Sequence, residues 1–81
     1  MSTTLADLAV GTKGVVQGYS KEGGSYRGRL LSMGLTKGTG FEIKRIAPMG
    51  DPVEIIVKGY SLALRKDEAR ALLVKQDRIL K

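Results

Sequence analysis

Glycine constrains this chain more than any other residue. Eleven of its 81 residues are glycine, and Gly11, Gly14, Gly18, Gly23, Gly24, Gly34, Gly38, Gly40, Gly50 and Gly59 fall between short apolar runs. That rhythm suits short strands joined by tight turns and predicts a small β-barrel. The length suits one domain. A domain of this size buries only about 60–65% of its unfolded surface, so its core is thin. The chain contains no cysteine and no histidine. Disulfides are therefore excluded, and so are the thiolate and imidazole ligands that transition metals favour. The thiol and imidazole routes of nucleophilic and acid–base catalysis go with them. The expectation is a binding or regulatory domain, not an enzyme, with no cofactor. Residues 1–7 show neither a basic nor an apolar leader region, and no apolar run approaches the roughly 20 residues that span a bilayer. A cytoplasmic protein without membrane insertion is the resulting expectation.

The local patterns place five or so short strands and three helical segments. Leu5 and Leu8 bracket one helical turn before Gly11. Residues 14–19 read as a strand whose glycines suggest strong curvature. Residues 25–33 are the best helix: Ser25 offers an N-cap, Tyr26, Leu30 and Met33 recur at helical spacing, and Gly34 supplies a left-handed stop. Residues 39–47 form a strand with Phe41 and Ile43 inward, and Ile46 breaks the alternation, so a bulge is expected near Lys44-Arg45. Pro48 and Pro52 bound a loop. Val53, Ile55 and Val57 alternate, and Lys58-Gly59-Tyr60 turns that strand into residues 61–65, the most secure hairpin of the chain. A helical turn over residues 66–71 and a closing strand over residues 72–74 complete a domain of residues 1–75. Residues 76–81 read as a frayed tail. The fold class is mainly β: an SH3-like barrel of five to six strands with one short docked helix, closed so that strand edges are hidden.

Formal net charge is +6, but the cations are scattered and interleaved with acids. That pattern favours a solvated surface with a basic bias over a nucleic-acid stripe. Gly34 to Gly40 lacks the Gly-Lys-Ser/Thr ending of a phosphate loop and leads into a strand. Asp51, Glu54, Asp67 and Glu68 are the carboxylates nearest turns, and they match no calcium loop; a weak all-oxygen metal site is the only metal chemistry left to them. Of the four aromatics, Phe41 and Tyr26 sit at core positions, leaving Tyr19 and Tyr60 as candidates for exposure and base stacking. One side of a short helix cannot bury Leu30 and Leu31 equally, so Leu31 is a candidate for a partner-facing apolar residue, with Leu30 and Met33 weighted toward the core.

Taken in order, these segments resemble the FeoA family: Leu5-x-x-Leu8-x-x-Gly11, then Tyr26-x-x-Arg29-Leu30-Leu31-Ser32-Met33-Gly34-Leu35, Gly38, Ala47-Pro48-Met49-Gly50-Asp51-Pro52, and Leu62-Ala63-Leu64-Arg65-x-x-Glu68-Ala69. The resemblance implies an SH3-like barrel and a cytoplasmic accessory protein of bacterial ferrous iron uptake. Its implied partner is the FeoB transporter, a membrane permease with a cytoplasmic GTPase domain. FeoA-like modules also end metal-dependent repressors, but this chain has no room for their DNA-binding parts. The contact residues implied are Arg29, Leu30, Leu31, Met33, Pro48 and Met49, while Gly34, Gly50, Pro52 and Arg65 match the pattern as turn-setting or anchoring residues. Transition-metal binding is a family-level association that the missing histidine and cysteine weaken here. Two other classes stay open: a nucleic-acid-binding barrel, suggested by Gly11-Thr12-Lys13-Gly14-Val15-Val16, and a direct metal sensor. Weak self-association is open as well.

Overall fold

A computed structural model describes residues 3–21 and 24–76. The chain forms strands β1 (Thr3–Thr4), β2 (Lys13–Tyr19), β3 (Gly40–Ile46), β4 (Val53–Val57), β5 (Tyr60–Leu64) and β6 (Leu72–Gln76). Two six-residue helices interrupt them, α1 (Arg27–Ser32) and α2 (Lys66–Ala71), together with 3-10 turns at Leu5–Asp7, Gly24–Tyr26 and Pro48–Gly50. All strand pairs are antiparallel, in the order β1-β6-β2-β3-β4-β5. β6 thus includes Gln76, and the remainder of the expected tail, 77–81, lies outside the described residues.

Side-chain alternation decides what the sheet encloses. Val53, Ile55 and Val57 point inward from β4, and Phe41 and Ile43 do so from β3. They meet Leu5, Val16, Leu64, Leu72 and Val74 in one core. The register of β3 against β4 slips between Ile43 and Arg45, at the bulge expected there. The slip sets Arg45 opposite Glu54 and leaves Ile46 only partly buried. A second slip, between Val16 and Gly18, bends β2 against β6. Lys58 and Gly59, with φ of 52° and 88°, form the primed turn that matches the twist of the β4–β5 hairpin.

The sequence-based picture needs two corrections. Ser25 does not cap α1. The 3-10 turn Gly24–Tyr26 runs straight into the helix, and Tyr26, the residue before it, already has helical φ and ψ (−93°, −8°) without a side-chain cap. Closure is also incomplete. The chain leaving β5 enters α2, and β6 then inserts between β1 and β2 instead of beside β5. β5 therefore stays an edge.

Gly14 is where β2 crosses the sheet most tightly. A Cβ there would lie 2.5 Å from the Lys75 carbonyl and 3.0 Å from Phe41 Cζ. Gly18, two turns of pleat further on, has nothing within 4 Å of that position. Gly14→Ala should therefore cost about 1–3 kcal/mol through overpacking, while Gly18→Ala should be neutral or stabilising by up to about 1 kcal/mol. Urea unfolding of the two variants checks this; equal stabilities would contradict the tight crossing.

Candidate functional site

The candidate surface is built on α1, which is too short to hold itself together and depends on its attachments. Its C-terminus is a Schellman turn. Gly34 N–H donates to Leu31 C=O (3.0 Å), and Leu35 N–H donates to Leu30 C=O (3.0 Å). The turn needs φ of +87° at Gly34, which a side chain would resist. It also brings Leu30 and Leu35 together below the helix, and both are fully buried. Beneath them Tyr19 of β2 donates its hydroxyl to Leu35 C=O at 2.6 Å. The Arg27 guanidinium lies 5.6 Å from the centroid of the same ring, a cation–π contact at the other end of α1.

A further attachment is an ion pair between Arg29 Nε and Glu68 Oε2. Glu68 sits in the first turn of α2 and is 2% exposed. Its other oxygen, Oε1, accepts the Arg65 N–H at 2.9 Å. One buried carboxylate thus satisfies the start of α2 and anchors the side chain of α1, which is how such a group is tolerated. At its other end α1 approaches β5, since a Cβ on Gly34 would lie 3.7 Å from Tyr60 Oη.

This arrangement sorts the six expected contact residues. Leu30 is 0% exposed and belongs to the core, so the expectation that it offers contact surface is corrected: the Schellman turn directs it inward. Met33 is partly buried against that core. Leu31, one residue on from Leu30, is 41% exposed. Arg29 is exposed but engaged with Glu68. Pro48 and Met49 lie on the β3–β4 turn, and Met49 is 90% exposed. Met49 has φ of 72°, a left-handed conformation that a β-carbon disfavours, and the turn is closed by Gly50 N–H to Ala47 C=O and Ala47 N–H to Pro52 C=O.

The other candidates resolve differently. Tyr19 is not an exposed stacking residue, because its hydroxyl and ring both serve α1. Tyr60 is 49% exposed and is the one aromatic on the surface. Glu54 pairs with Arg45 at 3.6 Å. Glu68 is committed to Arg29 and Arg65, and among the described residues no three acidic, histidine or cysteine side chains gather as a metal-holding group. Reading the sequence missed the Arg29–Glu68 link. The capping spacing from Arg65 to Glu68 was a usable local sign of half of it; the partner across the fold had none.

Comparison with known proteins fits this architecture. The model of the FeoA domain matches residues 3–76. A FeoA-like protein from Clostridium acetobutylicum is 35% identical, with 99% of this chain and 92% of that one covered and a TM-score of 0.87. FeoA from Chlorobium tepidum is 32% identical over 91% of this chain and 70% of that one, with a TM-score of 0.78. FeoA from Stenotrophomonas maltophilia, solved with zinc and described as a prokaryotic SH3-domain protein proposed to activate ferrous iron transport, is 28% identical over 94% and 96%, with a TM-score of 0.77.

Removing Glu68 should loosen both helices. Glu68→Ala is expected to destabilise the fold by about 2–3 kcal/mol. Arg29→Ala is expected to cost less, about 1 kcal/mol, because the arginine side chain is 62% exposed and water can partly replace it. Thermal unfolding of both variants tests the order; Arg29→Ala being the more damaging would contradict it. With these contacts, this fold and these matches together, the chain belongs to the FeoA family.

Proposed function

We propose that this protein is a cytoplasmic accessory protein of bacterial ferrous iron uptake that docks on the FeoB transporter and biases its GTPase cycle or its assembly. The observation that carries the reading is the split between neighbours in the family motif. Leu30 is wholly buried, while Leu31 stands 41% exposed on a helix fixed from both ends. An apolar residue held outward at that cost in solvation suits a protein contact. Met49 supports it, because a methionine held in a left-handed conformation with 90% of its surface exposed adds nothing to the core formed by the described residues. The protein then acts on the transporter and not on the iron. Docking shifts FeoB only so far as this chain binds one FeoB conformation better than another. In this reading it is not an enzyme, and Glu54 and Glu68 serve the fold.

FeoB GTPase activity and oligomer size, measured with and without this protein, test the reading; no change in either would remove it. Two variants test the surface. Leu31→Asp should stay folded and reduce recovery of FeoB about tenfold. Met49→Gly should raise stability by about 0.5–1 kcal/mol by relieving the left-handed residue, and yet weaken FeoB binding. Equal FeoB recovery by a folded Leu31→Asp would exclude the α1 face.

A further inference from the structure

β5 is an edge whose free main-chain groups can be located from the register. The turn Lys58-Gly59 joins Val57 to Tyr60, so those two form a hydrogen-bonded pair. Bonded and non-bonded pairs alternate along an antiparallel ladder. The register runs on without a slip through Ile55–Leu62 to Val53–Leu64. Tyr60, Leu62 and Leu64 therefore turn their peptide groups toward β4, and Ser61 and Ala63 turn theirs outward. Both residues are exposed, and neither makes a main-chain bond beyond the sheet among the described residues. Two donors and two acceptors thus line the edge, about 7 Å apart. The opposite edge, β1, has only two residues.

Edges are ordinarily blunted by charge, proline or a bulge. β5 reads Tyr-Ser-Leu-Ala-Leu and has none of these. Its charges lie at its ends and flank instead: Lys58 before it, Arg65 and Lys66 after it, and Lys44 Nζ 3.5 Å from Ser61 Oγ. The carboxylate opposite Ala63, Glu54, is paired with Arg45. A second copy of this chain suits the edge poorly. Antiparallel pairing about Leu62 would set Lys58 against Lys66 and Arg65 beside Gly59, and like charges placed opposite one another are destabilising.

We propose that β5 is a strand-addition site that takes an extended, uncharged segment of another protein flanked by acidic residues. The Ser61 and Ala63 peptide groups supply the hydrogen bonds, and the cations at the two ends select the flanking charge. The proposal does not rest on the FeoB reading, since β5 lies outside the contact residues invoked there. The test uses the full chain, 15N-labelled, and two synthetic peptides of alternating valine and threonine, one with glutamates at both ends and one with lysines. The glutamate peptide should bind about tenfold more tightly at low salt and protect the Ser61 and Ala63 amides from exchange. Ala63→Pro should abolish binding, because it removes an outward N–H that β4 does not use. The double variant Lys58→Asp, Lys66→Glu leaves Arg65 and Lys44 against two acids, so it should erase the preference between the peptides, and it keeps the test sound if the proline variant misfolds. The proposal is overturned if the glutamate peptide does not bind, if it binds without protecting Ser61 and Ala63, or if those amides are protected by self-association alone.

Discussion

A buried carboxylate organises this small fold. Glu68 cannot lie inside without partners, and it takes one nearby and one distant in sequence: the Arg65 N–H at the head of its own helix α2 and the Arg29 guanidinium on α1. α1 has six residues and no N-terminal side-chain cap. Its place depends on this ion pair, on the Tyr19 hydroxyl and on the Leu30–Leu35 contact. Once those are made, the outward aspect of Leu31 follows, because consecutive helical residues lie about 100° apart.

The same interactions explain why the charged residues of the motif are poor candidates for chemistry. Arg29 and Glu68 neutralise one another, and Arg45 is committed to Glu54. What reaches the surface from the motif segments is shape and apolar area: Leu31 on the helix and Met49 on the β3–β4 turn. A left-handed methionine shows that local strain is tolerated there, and strain of that kind is retained where the surrounding turn over-determines the backbone. The hydrogen bonds from Gly50 to Ala47 and from Ala47 to Pro52 do so. A rigid presentation lowers the ordering cost of binding, which suits a protein whose effect would come through docking.

Features with a local cause were legible in the sequence. The Lys58-Gly59 hairpin, the bulge at Lys44-Arg45 and the stop at Gly34 each follow from a few consecutive residues, and the structure has all three. The inward sets on β3 and β4 followed from period-two alternation. Features set by distant partners were not legible. Ser25 has the chemistry of an N-cap, but the preceding 3-10 turn leaves no cap geometry for it to fill. Nothing near Tyr19 in sequence shows that its hydroxyl meets Leu35, sixteen residues on. The open edge at β5 has no local sign, because strand order, unlike strand position, depends on where α2 sends the chain. Within the site, Leu31 could be singled out by asking which of two adjacent leucines a short helix can bury. The conformation of Met49 could not, since methionine gives no sign of a left-handed backbone.

In the proposed function, α1 and the β3–β4 turn present the surface that FeoB meets. Titrating the 15N-labelled protein with the cytoplasmic part of FeoB and following its amide signals tests that most directly. The signals of Leu31, Ser32, Met33, Met49 and Gly50 should shift or broaden first, with those of β1 and β6 unaffected. Changes confined to β1, β6 and β2, with α1 and the turn silent, would contradict it.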